Sequence, residues 1–147
     1  MTGGAYTALT TLHGVLAGLS LAVGAHPLVA IRTRGVSKYT VLTATLSAIG
    51  FSSTFALGWF VYPEYRRMVK PALYLASSGA VLRFETKEHL AALAVGLTVA
   101  GAATLRVAGR TAPGREAAFS LLATGWMLGL AVGLLGVYVR AAAHPGF

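Results

Sequence analysis

The chain has 147 residues, of which 56% are hydrophobic and 11% are charged, and it contains no cysteine. This composition excludes an ordinary soluble domain, a disulfide framework, thiolate metal ligands and haem attachment through cysteine. The formal net charge of +8 comes from lysines and arginines clustered beside apolar stretches. That distribution is typical of membrane proteins, so we expect no nucleic-acid partner.

Four apolar stretches each approach the ~20 residues that a helix needs to cross a bilayer. They predict one domain over residues 1–147 with an all-α fold, an integral membrane four-helix bundle in contact with lipid. We assign it to the cell membrane as a multi-pass protein, of the kind found in the bacterial inner membrane. The predicted spans are residues 7–31, 39–62, 86–105 and 116–139.

The three connections between these spans differ in character. The first and third are short and basic and contain glycine turn signals. Two spans separate them, so they lie on one face of the membrane. In the second connection Pro63 is predicted to end the helix, and the apolar run 72–82 is too short to cross. Residues 63–84 are therefore predicted to form an interfacial or re-entrant segment, broken near Ser77.

Glycines recur at four-residue spacing on two of the spans. Such ridges let the backbones of neighbouring helices approach closely. We interpret both as helix-packing surfaces. The ridges are Gly14 and Gly18 on the first span, and Gly125, Gly129 and Gly133 on the fourth.

Two histidines open the first and third spans, which run in the same direction. His13 lies 19 residues before Arg32, and His89 lies 17 residues before Arg106, the basic residues that close the two spans. At helical rise the difference in depth is only about 3 Å, so both imidazoles are expected near one face of the membrane. An ionisable side chain inside a span is costly, and it marks a candidate functional site.

Small residues below the two histidines leave volume between these spans. Ala17 and Ser20 follow His13 on one helical face, and Gly96 lies two turns after His89. The arrangement resembles the general plan of membrane b-type cytochromes, in which histidines of neighbouring helices hold haem inside a four-helix bundle. The resemblance is architectural and covers no stretch of sequence. It implies one haem b between the histidines, and electron transfer as a subunit of a larger membrane redox complex rather than as a stand-alone enzyme.

The histidine face also carries a group of cations. Haem propionates need positively charged partners near the polar surface, and a guanidinium suits a carboxylate because it binds through two nitrogens. The candidates are Arg66, Arg67, Arg83 and Lys87.

A quinone or quinol is a further partner that the sequence allows. Aromatic and acidic residues gather where the second span reaches the histidine face, and they are candidates to line such a site. An aromatic belt at the membrane interface is the stronger interpretation of the same residues. They are Trp59, Tyr62, Glu64 and Tyr65.

Two other functions remain open. Glu85 and His89 are four residues apart, so with Glu88 and His13 they could hold a metal ion in place of haem. The two acids also suit the start of a helix, where negative charge is favourable. Alternatively, the chain is a non-catalytic structural or assembly subunit in which the histidines only form interhelical hydrogen bonds.

The remaining histidines fit a ligand role less well. His26 precedes Pro27 near the end of the first span, and the third span has no ligand at the matching depth. An interfacial imidazole at a helix kink is therefore the favoured interpretation. His144 is interpreted as a solvated residue of the C-terminal tail.

Overall fold

The computed structural model describes residues 3–76 and 78–143. These residues form five helices and no strand, and four of the helices are long and apolar enough to cross a membrane. The predicted all-α fold of a multi-pass membrane protein is thereby confirmed. The helices are α1 (Gly3–Thr33), α2 (Lys38–Met68), α3 (Lys70–Ala76), α4 (Ser78–Ala108) and α5 (Ala112–Ala143).

The four long helices form two hairpins that pack side by side. In the first hairpin α1 packs on α2, and in the second α4 packs on α5. The hairpins meet where α2 contacts α4 and where α1 contacts α5. Helices α1 and α4 consequently lie diagonally across the bundle. The two histidines of the predicted site are on this diagonal pair.

The first hairpin turns through a glycine and a reciprocal cap. Gly35 has a φ of 76°, in the left-handed region that favours glycine. The Ser37 hydroxyl accepts a hydrogen bond from the Thr40 amide at 3.1 Å, and the Thr40 hydroxyl accepts one from the Ser37 amide at 3.2 Å. This capping box satisfies backbone donors at the start of α2.

The long helices extend beyond the predicted spans, and Pro63 does not end α2. The helix continues through Pro63 to Met68, just as α1 continues through Pro27. Proline is tolerated in membrane helices because neighbouring groups satisfy the freed backbone atoms. The predicted interfacial segment 63–84 is thus mostly helix ends. Ser77, where a break was predicted, falls outside the described residues.

Helix α3 covers the histidine end of the bundle. Leu73 is completely buried and belongs to a cluster with Val81, Phe84 and Val139. The Lys70 ammonium lies 2.9 Å from the Glu85 carboxylate, which ties α3 to α4 and raises the pKa of Lys70 above its usual value. With seven residues α3 is about 10 Å long, so it does not cross the membrane, as predicted.

The glycine ridge of α5 packs as predicted, but that of α1 does not. A Cβ placed on Gly125 would lie 2.5 Å from the Thr98 hydroxyl, and one on Gly129 would lie 2.3 Å from the Phe51 ring. A Cβ on Gly14 or Gly18 would meet nothing within 4 Å. The α1 ridge is open because it faces an internal cavity instead of a neighbouring helix.

Candidate functional site

A cavity of about 780 Å³ lies between the two hairpins, with walls from all four long helices. It separates two packed clusters. One lies around Leu73 at the histidine end, and the other lies around Leu105 and Leu122 at the opposite end. Both His13 and His89 line this cavity. The structure therefore brings the two histidines predicted from sequence into one site, in a space within the usual size range of ligand pockets.

The His13 imidazole is held by helix α2. Its Nδ1 lies 3.0 Å from the carbonyl oxygen of Thr54, and the residue is half-buried. A carbonyl oxygen can only accept a hydrogen bond, so Nδ1 must carry the hydrogen and donate it. The neutral ring consequently keeps its lone pair on Nε2.

The His89 imidazole has the same hydrogen-bonding pattern within its own helix. Its Nδ1 lies 2.8 Å from the carbonyl oxygen of Glu85, one turn earlier in α4. By the same reasoning Nδ1 is the donor and Nε2 keeps the lone pair. His89 is more exposed than His13 and lies at the edge of the cavity.

This pattern is the one that metal-ligating histidines adopt. A ligating imidazole almost always donates its second ring N–H to a carbonyl or carboxylate, which fixes the ring orientation and raises the basicity of the free nitrogen. Both histidines already make that bond, so in the neutral form each imidazole carries its lone pair on Nε2. Sequence reasoning could place the two histidines at similar depth but could not predict the tautomer.

Two buried hydroxyl groups in the cavity wall have no hydrogen-bond partner within the described part of the chain. They are Thr54 Oγ1 and Tyr65 Oη. Buried polar atoms are nearly always satisfied, so an orphaned hydroxyl needs an explanation such as a bound ligand or water. Both belong to α2 and line the cavity that contains the histidines. A polar occupant of the cavity would satisfy them.

Aromatic side chains form the wall of the cavity nearest α3. The Tyr65 and Phe84 rings are stacked with centroids 4.0 Å apart, and Tyr62 lies 6.2 Å from Phe84 in a nearly parallel orientation. Of the residues predicted to line a quinol site, Trp59, Tyr62 and Tyr65 do line this cavity. Glu64 is not part of the lining, and it pairs with Arg67. Quinol binding stays a prediction.

Lys87 is the one member of the four predicted cations that lines the cavity. It is half-buried with its Nζ 4.9 Å from the centre of the Phe84 ring, and it makes no ion pair with any described residue. Arg140, which the sequence analysis missed, lines the cavity from α5. Its place in the last turn of the fourth span, on the histidine face, was the signal that could have identified it.

The three predicted arginines are outside the cavity lining and are occupied elsewhere. Arg67 lies 2.5 Å from the Glu64 carboxylate. Arg83 stacks on the ring of Tyr138 at 4.5 Å and donates a hydrogen bond to its hydroxyl. The Arg66 guanidinium lies 5.9 Å from the centre of the Tyr62 ring, on the exposed side.

Of the three small residues predicted near the histidines, two line the cavity and one lies outside it. Ala17 and Ser20 line the cavity. The Ser20 hydroxyl donates to the Leu16 carbonyl at 2.6 Å, so it adds little free polarity. Gly96 is exposed and lies outside the lining. The reason is that His89 stands at the cavity edge, and the residue two turns further along its face is on the exterior.

The alternative metal ligands do not assemble into one group. Among residues 3–76 and 78–143, no three histidine or acidic side chains come close enough to hold a metal ion. Glu85 is paired with Lys70 and is not part of the cavity lining, whereas Glu88 is.

His26 is separate from this site. It is exposed outside the cavity lining, with its Nδ1 2.9 Å from the Thr43 hydroxyl. This position agrees with a structural role for that imidazole. His144 lies outside the described residues.

The fold and the site define a class: a multi-pass helical membrane protein with a histidine-lined internal cavity. Comparison with protein-family models, with curated proteins and with solved structures found no match.

Proposed function

We propose that the protein is a membrane b-type cytochrome subunit that binds one haem b between His13 and His89 and transfers electrons within a larger redox complex. One observation carries the proposal. Each histidine lines the same cavity and donates Nδ1–H to a backbone carbonyl, so the neutral ring has its lone pair on Nε2. Two imidazoles held in this way would be suited to bind haem iron, which supplies one-electron redox chemistry.

The charges of the cavity support this occupant. A bound haem carries two carboxylates, and burying a carboxylate is costly unless a cation or hydrogen-bond donor meets it. Two basic residues, Lys87 and Arg140, line the cavity together with one acidic residue, Glu88, and Lys87 makes no ion pair among the described residues. The orphaned hydroxyls of Thr54 and Tyr65 are further donors. We assign Lys87 as the main partner of a propionate.

Haem supplies a one-electron redox centre, whose potential the protein tunes through ligation, charge and burial. The chain's own residues would orient the macrocycle and keep it within the apolar bundle. The described residues form a bundle with four helices able to cross a membrane. We propose that the electron donor and acceptor are other membrane redox subunits or membrane-soluble carriers.

Visible spectroscopy tests the proposal directly. The protein is purified in mild detergent and titrated with hemin, and spectra are recorded before and after reduction with dithionite. We expect one haem per chain with the spectrum of a six-coordinate low-spin b-type centre. His13→Ala and His89→Ala should each abolish that spectrum, whereas His26→Ala should not, because His26 lies outside the cavity lining.

A wild-type protein that stays colourless after hemin titration would refute the haem proposal. Helical circular dichroism and a single gel-filtration peak for both histidine variants would show that loss of haem is not loss of folding. Retention of low-spin haem in both variants would equally refute the proposed ligands.

A further inference from the structure

We propose that helix α2, which contributes neither histidine, positions the His13 imidazole through Thr54 and Gly58. The proposal extends the haem function above and assigns the two residues as positioning residues. It also predicts that the orientation of His13 depends on the packing of α1 against α2, whereas His89 is held by a hydrogen bond within its own helix. One hydrogen bond, one close approach and one contrast with His89 carry the inference.

The Thr54 carbonyl fixes one edge of the ring. It accepts the Nδ1–H of His13 at 3.0 Å across the α1–α2 interface. In an ordinary helix this carbonyl bonds only to the amide four residues later, in this case that of Gly58. The same turn of α2 therefore supplies both the acceptor and the residue that faces the ring.

Gly58 provides the space in which the ring lies. A Cβ placed on Gly58 would come 3.0 Å from His13 Cε1, 3.4 Å from Nδ1 and 3.9 Å from Nε2. Three ring atoms thus lie within 4 Å of the position that a Cβ would take. An alanine requires the imidazole to shift by a few tenths of an ångström, and the bulkier valine requires a larger shift, which changes the direction of Nε2.

His89 lacks this dependence on another helix. Its Nδ1 bonds to the carbonyl of Glu85 in its own helix, at 2.8 Å. A change in the spacing of α1 and α2 therefore alters the His13 bond and leaves that of His89 intact. The two ligands are chemically alike but differ in what holds them.

The first experiment uses the haem-loaded protein. Gly58→Ala and Gly58→Val should weaken haem binding by about 10- to 100-fold, the usual effect of disturbing the groups around a metal ligand. The variants should show increasing high-spin absorption and should bind carbon monoxide when reduced, because His13 would no longer be held in place to bind the iron. His89 remains the single protein ligand in that state.

Gly96→Ala is the matched control. Gly96 lies outside the cavity lining, and a Cβ there meets nothing within 4 Å. We expect Gly96→Ala to retain low-spin haem. If Gly96→Ala and Gly58→Ala have equal effects, the loss of a helical glycine rather than contact with His13 is responsible, and the positioning role of Gly58 is wrong.

The second experiment needs no haem and separates this proposal from the preceding one. In the unloaded protein labelled with nitrogen-15 histidine, Gly58→Val should shift the ring resonances of His13 and leave those of His89 unchanged. Thr54→Val retains the backbone carbonyl, so the protonated Nδ1 of His13 should persist. These shifts in a protein that binds no hemin would keep the positioning role and reject the haem function. Unshifted His13 resonances in Gly58→Val would overturn the positioning role whether or not haem binds.

Discussion

The indole Nε1–H of Trp126 donates a hydrogen bond to the carbonyl oxygen of Leu21 at 2.8 Å. This bond joins α5 to α1 and closes the bundle on the side opposite the α2–α4 contact. Gly24 allows the close approach, because a Cβ there would lie 3.0 Å from the Trp126 ring. This bond is therefore one of the links between the two hairpins, near the middle of the bundle.

Replacing Trp126 with Phe should destabilise the protein. The change removes the donor to Leu21 and most of the close contact with Gly24 while keeping an aromatic ring. Hydrogen bonds of this kind contribute about 0.5–1.5 kcal/mol. We expect a loss of about 1 kcal/mol in the free energy of unfolding, measured by denaturant titration in detergent. The control is Trp59→Phe, since the Trp59 side chain is 73% exposed and should change little.

A larger residue at Gly101 should destabilise the protein, whereas the same change at Gly96 should not. A Cβ on Gly101 would lie 2.8 Å from Leu122 Cγ and 2.9 Å from its backbone nitrogen, whereas a Cβ on Gly96 meets nothing within 4 Å. Gly101→Val should therefore separate α4 from α5 and lower the melting temperature in detergent, at a cost of about 1–3 kcal/mol. Gly96→Val should leave it nearly unchanged. Similar melting temperatures for both variants would contradict the tight α4–α5 packing described here.

Much of the fold was predictable, because a bilayer allows few solutions for a long apolar stretch. The number of spans and the non-crossing segment follow from length and hydropathy. The positions of the helix ends could not be predicted in this way, and Pro63 shows why. Proline often ends a helix in a soluble protein. A membrane helix can continue through proline because neighbouring groups satisfy the backbone atoms that lose their hydrogen bonds.

The candidate site was predictable in part. Their similar depth along the first and third spans predicted that His13 and His89 lie near one face of the membrane, and both do line one cavity. The cations were less predictable because sequence position fixes the helix face of a residue but not the way in which a long side chain turns. Arg83 and Lys87 are one turn apart on one face of α4, yet Arg83 packs on Tyr138 while Lys87 lines the cavity.

Lys87→Gln should weaken haem retention more than the corresponding changes at the other cations. The substitution removes the positive charge that we place beside a propionate. We expect faster haem transfer to apomyoglobin and a lower midpoint potential, because losing a nearby positive charge favours the oxidised iron. Arg67→Gln and Arg83→Gln are the controls, since both arginines lie outside the cavity lining. Equal effects from all three would indicate general destabilisation.

Topology can be checked by single cysteines, because the natural chain has none. Four crossings place Arg34 and Arg110 on one face, and Lys70 on the other. Cysteines at positions 34 and 110 should therefore react with an impermeant maleimide from one side of the membrane, and a cysteine at position 70 from the opposite side. Labelling of positions 70 and 110 from the same side would mean a different number of crossings. We expect the two short basic connections to be cytoplasmic.

The division into hairpins has a consequence for assembly. His13 belongs to the first hairpin and His89 to the second, so neither half of the chain contains both. A ligand that needs both imidazoles binds only after the halves have associated, and by mass action it then stabilises the associated state. If the two halves were expressed separately, the amount of bound ligand, measured from the visible spectrum, would thus report how far the halves had associated. In the membrane, cofactor capture would mark the last step in the maturation of the bundle.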